Sequence, residues 1–493
     1  MSQLQQTLEK ASHKNDDGII EFGAIINGKQ VTTGEWIEVH NPYTKKLVGR
    51  VASIDIETLD QVLKDTYKTK ITLTRYQRYE ILNKIADELE KRVDEVSQMI
   101  TDETGLCLKD TRYEASRVSD VLRFSAMKAL DDDSKVFPCD VSKNGKPRRI
   151  YTTRVPLGLI SAITPFNHPM NQVVHKIAPA IATNNTVVLK PSERTPLSAY
   201  YFTQLALDCG LPPNMLNCIN GKDIEATSEM MTVHPDITMV SFTGGSKIGK
   251  IIASKAGYKK LVLELGGSSA LLILDDADID EAVEVTMAGT FKNSAQRCTA
   301  IRRILVHHSI ADEYASKLAD RVQNIKYGDP YDANNDMGTV ITEAAAEEME
   351  ARVKDAIANG AVCLAGNKRD GALFAPTVLD HIKNDHEVVA KETFGPVAPI
   401  IRFETLDEAI EIANDTPYGL SGGVVSNHWP SIQRVITELD TGTVNVNEAP
   451  SYRLEWTPFG GVKDSGLGYK EGVIEAMKGY TYVKTYSLPW DIA

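Results

Sequence analysis

Apolar and polar residues follow two periods along this chain, and the two take turns. Short runs rich in Val and Ile suit a pleated sheet, and they separate longer stretches with helical spacing. Residues 58–96 and 112–130 are predicted as helices, the second ended by Asp131-Asp132-Asp133. Residues 136–141 and 150–155 read as strands around Asn144-Gly145, a hairpin signal. From Gly158 the rhythm becomes strand then helix. A strand over 158–164 ends at Pro165, a helix over 170–183 is kinked by an internal proline, and a short buried strand occupies 186–189. A helix over 198–209, strands near Asn217 and over 239–242, a helix from Ser246 and a strand over 261–265 follow. The rhythm then restarts with a helix at 279–290, a strand at 304–307 and a helix at 345–359, and 480–487 alternates like an exposed strand. Repeated strand–helix crossover builds largely parallel sheets, so the expected class is α/β. The hairpin separates two α/β blocks, and a second domain is expected from about residue 263.

Composition narrows the function. With 493 residues, 42% hydrophobic and 25% charged, the chain has the balance of a multi-domain globular protein, not a disordered one. A net charge of −13 argues against general nucleic-acid or anionic-membrane binding, while leaving room for a local basic pocket. The six cysteines (107, 139, 209, 218, 298 and 363) lack CxxC or metal-type spacing, so no disulfide framework and no metal site are expected. Residues 1–17 are polar without the apolar core of a secretion signal, and no apolar run is long enough to span a bilayer. The expected location is the cytoplasm.

Four segments carry candidate chemistry. Phe242-Thr243-Gly244-Gly245-Ser246-Lys247-Ile248-Gly249 lies at a predicted strand-to-helix junction, where glycines let backbone N–H groups approach a phosphate. The same string also reads as a tight turn with Ser246 as N-cap, and it is not the GxGxxG fingerprint. Cys298 lies in Asn293-Ser294-Ala295-Gln296-Arg297-Cys298-Thr299-Ala300. A lone cysteine is usually core filler, but the adjacent Arg297 is expected to lower its thiol pKa. Glu264 ends an apolar strand directly before Leu265-Gly266-Gly267, as a surface cap or a general base. Asn167, within Thr164-Pro165-Phe166-Asn167-His168-Pro169, either satisfies a turn or donates to an oxyanion.

Taken with Lys190, Glu392-Thr393-Phe394-Gly395-Pro396 and Pro458-Phe459-Gly460-Gly461, these segments stand in the order and spacing of the aldehyde dehydrogenases. The resemblance runs from about residue 30 to the last strand. It implies two Rossmann-like α/β domains plus a small β oligomerisation element. Residues 1–134 and 154–262 would bind the dinucleotide, 263–472 would be catalytic, and 135–153 with 473–493 would assemble a homodimer or homotetramer. It also implies roles: Cys298 as nucleophile, Asn167 with the Cys298 backbone N–H as oxyanion donors, and Glu264 as the base that activates water. Coenzyme-A-dependent relatives generally lack that base, so a free acid is the expected product. Lys190, Ser192 and Glu193 resemble the adenosine-ribose contacts, Glu392 and Phe394 those of the nicotinamide ribose. Thr164, Pro165, Phe166, Gly244, Gly245, Ser246, Gly249, Leu265 and Gly266 complete the cofactor contacts. A carboxylate at Glu193 would repel a 2′-phosphate, which favours NAD, with NADP possible, unless Glu193 only caps the following helix. Two departures stand out: Gly245 replaces a usual serine, and Ala295 replaces the usual glycine before the nucleophile.

Arginines point to the substrate. Arg117 shares a helix face with Tyr113, Val121 and Phe124; the plain alternative is a structural ion pair with Glu114, with Asp120 or across a domain contact. Arg297 abuts the nucleophile and Arg453 lies in Tyr452-Arg453-Leu454-Glu455, with His168 and Thr299 as further ligands. Guanidinium forks suit a tetrahedral oxyanion. The set resembles the phosphate site of non-phosphorylating glyceraldehyde-3-phosphate dehydrogenases, and phosphonoacetaldehyde dehydrogenases more closely still. The strings ITPFNHPMNQVVHKIAPAIATNN, QRCTA, TPFGGVKDSGLGYKEG and KTYSLPW carry that likeness. The expectation is oxidation of phosphonoacetaldehyde to phosphonoacetate. Alternatives are sulfoacetaldehyde, glyceraldehyde 3-phosphate or succinate semialdehyde as substrate, or a non-catalytic protein on the same fold.

Overall fold

A computed structural model describes residues 18–490; the polar segment 1–17 and residues 491–493, which belong to the first and last expected ranges, lie outside it. Two seven-stranded sheets organise the described chain. The first runs, edge to edge, Lys260–Glu264, Met239–Thr243, Leu159–Ile163, Thr186–Lys190, Leu216–Cys218, Ala24–Ile26 and Lys29–Val31. Its first five strands pair in parallel and the last two antiparallel. The strands Leu159–Ile163 and Thr186–Lys190 are buried along their whole length, which is why they read as continuous apolar runs and not as alternation. The second sheet runs Val362–Ala365, Thr377–Asp380, Val397–Phe403, Ile301–His307, Ser269–Ile273, Ser421–Val425 and Thr443–Val446, parallel except at its first pair. Helices cover both sheets, so the class is α/β as the rhythm of the sequence implies.

The predicted helix over 58–96 is corrected to three helices: Ile56–Lys68, Arg75–Glu90 and Val93–Thr104. Local chemistry makes the breaks. Thr69 leaves the first helix in an extended conformation, and Thr74 with Gln77 closes a capping box on the second. Gly105, at φ 71°, ends the third. The hairpin forms as a three-stranded antiparallel sheet in the order Thr481–Pro489, Arg148–Pro156, Val136–Pro138. Its first strand is shorter than expected, and Asn144-Gly145 does not form a two-residue hairpin turn. Gly145 N–H instead donates to the Ser142 carbonyl inside the longer loop 139–147.

Buried carboxylates join helices far apart in sequence. Glu103, almost fully enclosed, accepts from the backbone N–H groups of Leu197 (2.7 Å) and Ser198 (3.3 Å), at the start of helix Leu197–Asp208. That helix has no cap from its own segment, so Glu103 satisfies donors that burial would otherwise leave unpaired. Burial pushes its carboxyl up to about 8. Glu103→Ala orphans both donors and is expected to lower unfolding free energy by about 2–4 kcal/mol. Glu103→Gln, which keeps an acceptor, should lose clearly less; equal denaturant midpoints for Glu103→Ala and the wild type would contradict this.

Candidate active site

Strand register brings the first group of candidates to one line. Across four parallel strands, Glu264 lies beside Thr243, Phe242 beside Ile163, and Ile163 beside Lys190. Glu264, Thr243 and Lys190 therefore end strands of one run of four, with Thr164 directly after Ile163 in the strand between Thr243 and Lys190. The carboxyl edge of a parallel sheet is where this fold class places ligands. Beyond it come three turns: Thr164 to Pro169, Gly244 to Gly249, and Leu265-Gly266-Gly267. The last is tied to two later loops, since Leu265 N–H donates to Ser465 O, Ser465 Oγ to Gly266 O, and Gly267 N–H to Glu392 Oε1.

The glycine turn is corrected in one respect. Gly245 is the N-cap of helix Ser246–Lys255, which receives no side-chain cap. Ser246 Oγ donates instead to the Asp464 carbonyl at 2.9 Å. A Cβ at Gly245 would meet nothing within 4 Å, whereas one at Gly249 would lie 2.4 Å from Leu265 Cδ2. One glycine leaves open space above a helix N-terminus, and the other permits close helix–sheet packing. Buried nearby, Thr164 Oγ1 and Thr243 Oγ1 have no hydrogen-bond partner. Lys190 and Glu193 form an ion pair, and Ser192 Oγ accepts from Arg194 N–H. Since Glu103 holds the start of helix Leu197–Asp208, Glu193 is not its cap. Phe166 and Phe394 meet edge to face at 5.8 Å. An open helix N-terminus, orphaned hydroxyls and a lysine–carboxylate pair along one sheet edge fit a dinucleotide.

The nucleophile loop faces this edge. Asn167 Nδ2 donates to Gln296 O at 2.7 Å, and Asn293 Nδ2 donates to Asn167 O at 3.0 Å. Asn293, Ser294 and Ala295 all have positive φ (61°, 49° and 58°). The usual glycine at 295 is thus replaced by an alanine forced into the left-handed region. Cys298 follows, partly shielded, with Thr299 buried beside it.

The expectation that Arg297 lowers the Cys298 pKa is corrected. Arg297 Nη2 donates to the carbonyls of Ala288 (2.9 Å) and Gly289 (2.8 Å), near the C-terminus of helix Ile279–Thr290, and Nη1 to Ser451 Oγ. Burial pushes the thiol up to about 12, and Glu392 and Glu264 add to this; Arg453 opposes them, and Arg297 and Arg302 also attract the thiolate without outweighing burial. Burial likewise raises Glu264 well above the carboxylate range; Glu471 adds, while Lys176, Arg453 and Lys470 oppose. Both Glu264 oxygens are buried and unpartnered.

Arg117 finds its partner across the molecule, in Glu455 (Nε to Oε1, 2.7 Å), not in Glu114 or Asp120. Glu455 also takes His175 Nε2 at 2.6 Å and stands 3.8 Å from Arg453. Burial alone would raise Glu455, yet His175, Arg453 and Arg117 outweigh it and hold the carboxyl below its usual range. The Arg453 guanidinium lies 4.1 Å over the Phe459 ring, its Nη1 buried without a partner. His168 Nδ1 lies 3.3 Å from Glu114 Oε2. Sequence reasoning missed Glu455, His175 and the buried pair Lys176–Glu471. A signal existed: His175 and Lys176 sit in a helix buried throughout, where charged residues need partners. Among the described residues no cluster of metal-type ligands occurs, and no helix is long and apolar enough to cross a membrane.

Comparison with known proteins matches the chain to one family. The aldehyde dehydrogenase family profile matches residues 29–486. A 3-sulfolactaldehyde dehydrogenase of Priestia aryabhattai is 37% identical over 456 residues, covering 92% of this chain and 94% of that protein. A sulfoacetaldehyde dehydrogenase of Neptuniibacter caesariensis is 34% identical, covering 90% and 98%. The structure of an NADP-dependent glyceraldehyde-3-phosphate dehydrogenase from Bacillus halodurans, complexed with NADP, superposes with a TM-score of 0.91 at 32% identity, covering 96% and 100%.

A raised thiol pKa has a direct readout in the isolated protein. The alkylation rate of Cys298 by iodoacetamide, followed by peptide mapping, should climb steadily from pH 7 past the ordinary thiol pKa of about 8.5. A plateau below that pH would contradict the shift.

Proposed function

Because the chain belongs to the aldehyde dehydrogenase family, we propose that it oxidises a short aldehyde with a tetrahedral anionic headgroup to the free acid, phosphonoacetaldehyde to phosphonoacetate first among them. The observation that carries this reading is Arg453: a guanidinium with a buried, unpartnered Nη1 that acts on both Cys298 and Glu264. An unpaired donor this deep is costly unless a ligand completes it.

In this reading Cys298 first sheds its thiol proton to solvent water, its Sγ attacks the aldehyde carbon, and the new oxyanion is held by Asn167 Nδ2 and the Cys298 backbone N–H. Asn167 exchanges its Gln296 acceptor for that oxygen. NAD would supply the hydride acceptor; Gly244, Gly245, Ser246, Gly249, Lys190, Ser192 and Glu193 would hold its adenosine and phosphates, and Glu392, Phe394, Leu265, Gly266 and Thr164 to Phe166 its nicotinamide side. A thioester stays on Cys298, and Glu264 takes the proton of the water that hydrolyses it. Burial favours the neutral carboxyl, so the ionised form does this work, and the raised pKa makes that form a stronger base. Arg453, Arg117, Arg297, His168 and Thr299 surround the headgroup. Glu193 disfavours a 2′-phosphate, and the Lys190 pair keeps it in place for a ribose diol.

The same reading divides the chain into cofactor-binding residues 1–134 and 154–262, catalytic residues 263–472, and an assembly element from the rest. Tyr482, Val483, Tyr486 and Leu488 are exposed on the edge strand of that element, which suits pairing in a homodimer or homotetramer.

A sulfonate headgroup is the second reading. Arg297 spends its terminal nitrogens on carbonyls and Ser451, which leaves fewer free donors for a dianion, and two relatives are named for sulfo-aldehydes. Steady-state kcat/KM for phosphonoacetaldehyde, sulfoacetaldehyde, glyceraldehyde 3-phosphate, succinate semialdehyde and propanal, with NAD and NADP, separates the readings. Phosphonoacetaldehyde with NAD should lead, and Arg453→Ala should cost about 10–100-fold for it against little for propanal, the loss of one or two charge-assisted bonds. Propanal matching the anionic aldehydes would overturn the headgroup reading.

A further inference from the structure

The helix Leu108–Ala129 carries charged groups that the mechanism does not use, and they are the ones that touch its loops. Asp110 and Glu114 are four residues apart, hence on one face and one turn from each other. Asp110 Oδ2 accepts from Asn293 N–H at 2.8 Å, in the left-handed turn before Cys298. Glu114 has no exposed side-chain surface. Its Oε1 accepts from the backbone N–H groups of Met170 and Asn171, both at 3.0 Å, and its Oε2 faces His168 Nδ1. Helix Asn171–Ala182 has no side-chain cap of its own, so Glu114 supplies that cap from another element. The segment so pinned begins one residue after Asn167, whose amide reaches the nucleophile loop at Gln296 O. One rigid helix thus grips both sides of the reacting centre, by carboxylates a helical turn apart.

We propose that Glu114 is a positioning residue for the oxyanion donor: by holding His168, Met170 and Asn171 it keeps the Asn167 amide at its fixed distance from the nucleophile loop. Asp110 holds the opposing loop. This rests on the reading of Asn167 as an oxyanion donor. Donor placement matters because misplacement by about 1 Å costs on the order of 10²-fold in rate. A cap that served stability alone would leave the chemical step unchanged per folded molecule.

The test is a double-mutant cycle on kcat, with active sites counted by Cys298 alkylation and the best aldehyde of the wild type as substrate. Asn167→Ala should lower kcat by about 10²–10³-fold. Glu114→Ala should lower it by about 10–100-fold with a much smaller change in KM, because the donor is mis-set while, of the headgroup ligands, only His168 loses a partner. The double variant should lose no more than Asn167→Ala alone, since both act through one amide. Glu114→Gln keeps an acceptor for the two backbone donors and should recover most of the loss. If Glu114→Ala does not fold, Glu114→Asp carries the cycle instead: it keeps the charge but withdraws the carboxylate by one methylene, and the same non-additive loss is expected. Losses that multiply in the cycle, or a wild-type kcat in Glu114→Ala or Glu114→Asp while Asn167→Ala is impaired, would overturn the role of Glu114 alone. An unimpaired Asn167→Ala would remove the oxyanion reading and the positioning role with it.

Discussion

Cys298 follows a short turn whose hand is opposite to that of the helices around it. Three consecutive non-glycine residues, Asn293, Ser294 and Ala295, occupy the left-handed region, at about 1–2 kcal/mol each. The turn persists because its surroundings leave it no alternative. Asp110 takes the Asn293 N–H, and Asn293 bonds in turn to Asn167 O and Gln296 O. Ile341 N–H donates to the Gln296 side chain, and the buried Arg302 donates to Ala295 O, Arg297 O and Gly395 O. Arg302 thereby ties the nucleophile loop to the loop of Glu392 and Phe394. Strain held by so many partners fixes where the thiol sits relative to the sheet edge.

That geometry explains the electrostatics. The same packing that fixes the turn excludes water, so Cys298 and Glu264 are pushed toward their neutral forms, and Glu392 and Asp110 are raised by burial as well. Positive charge near the reacting atoms comes from Arg453 and also from Arg297 and Arg302, whose attraction for the thiolate does not outweigh burial. Glu455 organises the far wall by engaging Arg117 and His175 and standing close to Arg453. Its single charge is shared by two guanidiniums, Arg117 and Arg453, so net attraction remains for an incoming anion.

What the sequence revealed and what it hid follow from distance along the chain. Glycine turns, strand ends and the 279–290 helix are local, and they appear where spacing and composition place them; that helix matches residue for residue. The break between residues 69 and 74 was hidden because the apolar spacing continues through it and only the caps mark it. The later parallel strands, such as Val397–Phe403 and Ser421–Val425, carry no alternation and merge with their helices. At the site, Asn167, Glu264 and Cys298 are legible because each stands in a compact motif. Arg117 and Glu455 are 338 residues apart, and nothing in either segment announces the other. Asp110 and Glu114 read as a polar helix face, and only the fold shows that this face is turned inward.

The proposed chemistry runs through a bond to sulfur. Glu264→Gln, mixed with phosphonoacetaldehyde and NAD and quenched in acid, should accumulate one phosphonoacetyl group per chain, mapped by mass spectrometry to the peptide containing Cys298. The same adduct should form far more slowly once Arg453 is also replaced by alanine. No adduct on that peptide, or one that forms equally fast without Arg453, would contradict it.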